Sequence, residues 1–597
     1  MSSVSGLPTP QASDTLDLLP QFLDILRSSS PNSIPPQTLL GAITHFLSQL
    51  EPPYLEEFTQ ALICSPSIWR NADINRSDLR NALRLSVSSK INKISQDTRN
   101  VYFADSRKRR KAREWLDCLN KVSSDSENTS RKLDLYLGLL QGVNDVEEID
   151  WGKGKVKLEE EVVMALSQEP QNPVLDDNLA MCAALPLINI DRLRILDIQS
   201  IANNLESSML RRFRPQENTA SADLPDFARA LGRSFEVLHS GGPSSQENAR
   251  QRMMKFCERI EARGTEMERD WEFHSEKSED AKFEIHSSNF AAFLAVASTM
   301  IDILLAGDVT SKVVDASSIE VAVHILAGLT SFAYLTDASD GGFEDYYKVF
   351  YGSLDIISAQ EGNEAIRTLF SSIARGNRLN DGRAAYVLVL GDELMKHLAK
   401  KEIDMLLTLA ERHIYRPKHK ASFEASHAFL LSLIKSSADS LENDHSQAAF
   451  FDAILLNYLS ILNKQYTHKE ITSDQFRQAF LILVETSSKR SSASVQLCIS
   501  YLLALPTDKE IRRIRVDITP YINSANLPQY LDNLAQAILS TEKYSEERTD
   551  LTKDAFEMVV KGLSDADKQV GIQWWTRWRA EFVGGRRSDP GLIRSRL

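Results

Sequence analysis

The residues able to do chemistry fall in a few short stretches. In "ERHIYRPKHK", His413 and His419 are two imidazoles six residues apart, the side chain most used to bind zinc or relay protons. Pro417 stands between them and ends a helix, so the two rings cannot share one helical face. No neighbouring cysteine or carboxylate pattern completes a metal site, and the stretch is expected as a solvent-exposed turn between helices. In "ENDHSQ", Asp444, His445 and Ser446 are the three residue types of an acyl-transfer triad. A working triad draws its members from separate elements, so three in a row read as a loop and a helix cap. "DWGKGKVKLEEE" carries Gly152, Lys153, Gly154 and Lys155, yet Val156 occupies the place where a phosphate loop needs a magnesium-binding hydroxyl. The sequence holds no H-E-x-x-H, G-x-S-x-G or G-x-x-x-x-G-K-[ST]. The expectation is a protein that is not an enzyme, with no catalytic, cofactor-binding or metal-binding residues and no cofactor.

What remains is recognition chemistry. "SRKRRKAREWL" packs Arg107, Lys108, Arg109, Arg110, Lys111 and Arg113 into seven positions of a chain whose formal net charge is −13. Such a run makes a candidate basic interaction patch for acidic partner surfaces, nuclear import receptors, anionic lipid or nucleic acid. The overall negative charge argues against phosphate neutralisation as the main work, and no nucleic acid partner is expected. Trp115, Leu116 and Leu119 follow at helical spacing, so the plain reading is the basic face of an amphipathic helix. Near the other end, "GIQWWTRWRAEFVGG" gathers Trp574, Trp575 and Trp578 with Ile572, Arg579 and Phe582, either interface anchors or, as favoured, the seal of a terminal helix. The last three residues, Ser595, Arg596 and Leu597, keep the small-basic-leucine form of the peroxisomal import signal, with Arg for the usual Lys.

The elements that must position these residues are helices. "TLDLLPQFLDILRSS" sets Leu19, Phe22, Leu23 and Leu26 at i, i+3, i+4, i+7, and "PPQTLLGAITHFLSQLEPP" holds Leu39, Ile43, Phe46, Leu47 and Leu50 between prolines. Period-2 runs of β-branched residues are nearly absent; "NDGRAAYVLVLGDEL" comes nearest to a strand and also fits a helix. The fold class is all-α, an irregular helix-pair array of the HEAT or armadillo kind, with a closed bundle as the alternative. Residues 1–13 are expected to be a disordered tail, 14–214 an N-terminal helical domain, 215–282 a linker or polar helical insertion, 283–583 a C-terminal array and 584–597 a flexible tail. Within the array, pairs are expected to begin near His286, Phe343, Leu379, Lys420, Glu470, Thr507 and Thr549, in steps of about 36 to 57 residues. Arg252 to Trp271 is expected as an exposed helix. The apolar run from Phe290 to Gly307 includes Asp302 and falls short of the roughly 20 residues a membrane span requires, so it reads as a buried helix. Five cysteines, widely spaced and without a CxxC, read as reduced and mostly buried thiols, and no secretory leader is recognisable at the start.

A helical chain of this length, without an enzymatic signature and ending in Ser595-Arg596-Leu597, resembles the fungal intraperoxisomal peroxin-8 family. The resemblance rests on that tripeptide, the length and the helix pairs of 284–583. It implies a scaffold peripheral to the matrix side of the peroxisomal membrane, bridging docking and RING-finger peroxins and helping cargo leave the import receptor. It further implies that Ser595, Arg596 and Leu597 bind the receptor's tetratricopeptide groove. The competing reading is a nuclear or nucleolar helical scaffold imported through residues 107–113.

Overall fold

The computed structural model describes residues 12–28, 34–99, 102–124, 129–168, 175–213, 223–273, 279–306, 315–338, 343–359, 362–373, 379–439 and 445–584. Every regular element among them is helical. The expected tails at 1–13 and 585–597 lie outside the described residues, apart from the start of the first helix.

Contacts divide the chain into two units, the first holding residues up to 335 with 341–360, the second holding 336–340 with 361 onward. In the first unit the N-terminal helices are Ala12–Arg27, Pro36–Gln49 and Tyr54–Cys64. Leu19, Phe22, Leu23 and Leu26 of the first and Leu39, Ile43, Phe46 and Leu47 of the second are buried, as their spacing requires. Phe22 stacks on Phe46 with ring centroids 5.0 Å apart, and Phe46 lies 5.5 Å from Phe58 of the third helix.

Next comes the helix Arg76–Thr98, which starts where the Asn75 side chain accepts from the Ser77 amide. The helix Thr129–Asp145 packs against it at unusually close range. Gly138 and Gly142, one turn apart, make this approach possible. A Cβ on Gly138 would lie 2.7 Å from the Leu83 Cβ and 2.8 Å from the Arg80 carbonyl oxygen. On Gly142 it would lie 2.6 Å from Val87 Cγ2 and 2.7 Å from the Arg84 carbonyl oxygen. Two ion pairs flank the contact: Arg80 to Asp134 at 3.1 Å, both buried, and a two-pronged pair between Arg84 and Asp145.

The described residues of 215–282, the segment expected as a linker or polar helical insertion, pack within this unit. The helix Leu224–His239 packs on Leu175–Ala184, Ile198–Arg212, Pro243–Phe273 and Glu279–Leu305. The stretch expected to be exposed is one face of the 31-residue helix Pro243–Phe273, and its other face buries Met253, Phe256, Cys257, Ile260 and Met267. Its many charges hid an apolar stripe at helical spacing, and Glu206 takes up Arg252 and Arg259 from it. The apolar run is indeed a buried helix. By length and composition Lys282–Leu305 could cross a membrane, but Phe290, Phe293, Met300 and Ile301 are fully buried within the unit.

The second unit is built of successive pairs. Asp381–Glu393 with Lys400–His413, Lys420–Asp439 with His445–His468, Ser473–Arg490 with Ser492–Leu503, Lys509–Asp517 with Leu527–Leu539, and Glu546–Glu557 with Asp565–Phe582 follow one another. First members stack on first members, and second members do likewise in two places, His445–His468 on Ser492–Leu503 and Leu527–Leu539 on Asp565–Phe582. This is the repeating geometry of a helix-pair array. The starts fall within a few residues of those expected from spacing. The stretch nearest to a strand is the helix Asp381–Glu393, capped by Asn380. Four of the five cysteines are buried and all are free thiols.

Each unit contains a histidine bonded to a tyrosine of a neighbouring helix, His286 buried and His427 half-buried. His286 Nδ1 lies 2.8 Å from the Tyr334 hydroxyl, and His427 Nδ1 lies 2.8 Å from that of Tyr458. Burial pushes both imidazoles down to about 4. The unfolded chain, with ordinary histidines near 6.5, binds more protons than the native one between these values. Stability present above pH 6.5 is therefore lost as pH falls toward 4, on the order of 2 to 3 kcal/mol for each histidine. The urea unfolding midpoint should fall between pH 7 and 4.5, and His286→Gln should flatten that dependence. Gly142→Ala should lower the thermal midpoint, with a cost of about 1 to 3 kcal/mol from overpacking, although the same change in an open helix is favourable by up to about 1 kcal/mol.

Candidate interaction site

The basic run lies on the helix Ala104–Ser124, and the sequence dictates which way it faces. At 100° per residue, Ala112, Trp115, Leu116 and Leu119 form one stripe, and all four are buried. The Trp115 indole donates to the Leu47 carbonyl at 3.0 Å, a free acceptor at the end of Pro36–Gln49. Lys93 donates to the next free carbonyls there, at Gln49, and Lys90 to that of Leu50. Asn120 donates to Gly154 O at 3.0 Å. The helix is thus fastened along its inner side.

Its six cations divide. Arg113 bonds the Asp150 carbonyl and carboxylate at 2.8 and 2.6 Å, and Lys108 reaches Glu148 at 3.2 Å. Arg110 faces Glu114 one turn on, at 3.5 Å, but both side chains stay mostly exposed, so this cation is still presented to solvent. Arg107, Arg109 and Lys111 are exposed, and no ion pair to another described residue engages them. A run that reads as six charges in sequence presents three uncommitted ones on a fixed helix.

Sequence reasoning missed a polar cleft of about 920 Å³ in the same unit. Arg76, Arg80, Arg84 and Arg131 line it, with Asp78, Asp223 and Trp69. The first three arginines recur every fourth residue, the signal that could have found it. Their charges are largely spent: Arg80 on Asp134, Arg84 on Asp145, and Arg131 lies over the Trp69 ring at 5.8 Å while donating to the Ile63 carbonyl. The cleft suits a polar surface and offers no activated nucleophile. Close by, the glycine-lysine stretch forms no phosphate cradle. Gly152, at φ +56°, turns its amide to the Asp150 side chain, and Lys155 donates to Asn144 at 2.7 Å.

In the second unit the "ERHIYRPKHK" turn differs from expectation. His413 is buried, and its Nδ1 lies 3.0 Å from Asp381 Oδ1; His419 Nδ1 lies 3.0 Å from Asp381 Oδ2, and Arg416 reaches the same carboxylate at 3.4 Å. Pro417 bends the chain so that both rings meet one acid from another helix, which six-residue spacing alone could not reveal. Burial lowers the His413 pKa, with Asp381 opposing that effect. Among the described residues no group of three or more His, Cys, Asp or Glu is placed to hold a metal.

The terminal helix Asp565–Phe582 buries Trp574, Trp578 and Phe582, with the Trp578 indole donating to Asp532 at 3.1 Å. Trp575 lies against Phe556 with ring centroids 5.1 Å apart and planes tilted by 44°, and Ile572 faces outward. Ser595, Arg596 and Leu597 lie outside the described residues, as do Asp444 and the side chains of His445 and Ser446.

Residues 13–190 match the family described as peroxin 8 protein-like, N-terminal domain. No curated protein matches in sequence. Among solved structures the chain is similar to a mutant of Kap121p, at 12% identity and a TM-score of 0.46, over 98% of this chain and 56% of that one. It is similar to Kap121p bound to Ste12p at 12% identity and a TM-score of 0.39, over 97% and 57%. The chain spans little more than half the length of these proteins.

Asp381 is the one carboxylate shared by three cationic or basic side chains in the second unit's turn. Asp381→Ala should destabilise the protein by about 1 to 3 kcal/mol, by leaving buried His413 without that partner. Asp381→Asn, which keeps a hydrogen-bonding oxygen, should cost less, as read from denaturant midpoints.

Proposed function

We propose that this chain, whose residues 13–190 match the peroxin 8 protein-like N-terminal domain, is a member of the peroxin-8 family and a non-enzymatic scaffold of peroxisomal matrix-protein import. The family match carries this reading and supports a role in import. In the proposal the protein is peripheral to the matrix side of the membrane, bridges docking and RING-finger peroxins, and helps cargo leave the import receptor. Ser595, Arg596 and Leu597 are the contact to the receptor, with the small hydroxyl, the long cation and the terminal leucine that such a signal uses.

The mechanism is physical. Helix-pair units offer extended surfaces on which two partners can be held at once, and tethering converts their encounter into a nearly intramolecular event with an effective concentration in the millimolar range. The family match does not favour the nuclear reading.

A fluorescent protein fused at the N-terminus leaves Leu597 free. The fusion should give puncta coincident with a peroxisomal marker, and removal of Ser595 to Leu597 should make the signal diffuse. A nuclear signal unchanged by that deletion would overturn the proposal.

A further inference from the structure

The basic helix has a neighbour that its charges do not explain. Tyr102 and Phe103, immediately before it, are 89% and 83% exposed, the most exposed large apolar side chains among the described residues. Phe103 holds φ +58°, a left-handed conformation that bulky residues seldom adopt, and its carbonyl accepts the first helical bond, from the Arg107 amide. Glycine would serve this position without strain, and asparagine or aspartate with less than an aromatic residue, and none of them exposes apolar area. Folding therefore gains nothing from an aromatic pair here.

From residue 99 to 114 the chain carries seven cations and two carboxylates, Asp105 and Glu114; with Glu148 and Asp150, which pair with Lys108 and Arg113, seven cations face four carboxylates, a local net charge of +3 in a molecule of net −13. On the helical wheel Arg107, Arg110 and Lys111 point away from the buried Trp115 stripe. The inner bonds of Trp115 and Asn120 hold that orientation, so the cations stand as a fixed array next to two outward rings.

We propose that Tyr102 and Phe103 with Arg107, Arg110 and Lys111 form a docking site for an anionic lipid bilayer surface. Aromatic rings settle at the boundary between headgroups and acyl chains, where an apolar body and a polar tip are both satisfied. Cations near an anionic surface add about 1 kcal/mol each, and the two signals together give the reversible attachment that neither gives alone. An acidic protein would pair with the cations but leave the rings without a role. The site supplies the contact by which the peripheral attachment proposed above would be made, and depends on that reading only for which membrane it meets.

The test uses the full-length purified protein and sedimentation with vesicles of phosphatidylcholine alone or with about one third phosphatidylserine. Binding should require the anionic lipid and weaken as salt rises. Arg107→Glu, Arg110→Glu and Lys111→Glu together should lower partitioning roughly a hundredfold. Tyr102→Ser with Phe103→Gly should lower it about tenfold while the thermal midpoint holds or rises, because glycine relieves the strained φ. Absence of binding to anionic vesicles at low salt, or binding indifferent to both variants, would overturn the site. So would the basic patch capturing an acidic polypeptide or RNA while ignoring vesicles. The assay contains no import receptor, so its failure leaves the targeting experiment standing, and a diffuse cellular signal would leave vesicle binding intact.

Discussion

The first unit depends on how closely two helices can approach. Gly138 and Gly142 let the backbone of Thr129–Asp145 settle against that of Arg76–Thr98, at a distance where a single methyl group would strike a carbonyl oxygen. That proximity brings Asp134 and Asp145 within reach of Arg80 and Arg84. A buried pair such as Arg80–Asp134 offsets its desolvation only when geometry is good, and here the glycines set the geometry. Ala104–Ser124 and Lys153–Gln168 then pack around the two helices, so the facing of the basic helix follows from this contact.

The same logic explains why the surface charge of the basic helix is smaller than its composition. A packed helix spends cations on its own neighbours: Arg113 on Asp150 and Lys108 on Glu148. The residues left over are those whose angular position keeps them away from the core. What a partner meets is therefore Arg107, Arg110 and Lys111, with Arg109 at their flank, next to Tyr102 and Phe103, a combination of charge and aromatic surface.

Much of the architecture was legible because helical periodicity is local. Leu19 to Leu26 and Leu39 to Leu50 announced their buried faces, and the helix pairs of the second unit begin close to where turn residues and spacing put them. The misreadings share one cause. The helix Pro243–Phe273 is so rich in charge that its apolar stripe is outweighed, and within 215–282, expected as a linker or polar helical insertion, Leu224–His239 packs on four other helices. At Asp381 the partners lie more than thirty residues away in sequence, and no periodicity records that His413 and His419 meet the same carboxylate.

By itself the sequence determined that this protein is helical, that its helices pair, that the cysteines are single and that a basic run starts an amphipathic helix. These are consequences of side-chain spacing and type within one or two turns. The tertiary structure alone decided which cations remain free, where the units divide, that an arginine ladder lines a cleft and that two aromatic residues stand in solvent beside fixed positive charge. Each of these depends on what a distant segment brings into contact, and a linear pattern carries no record of the partner that will occupy a face.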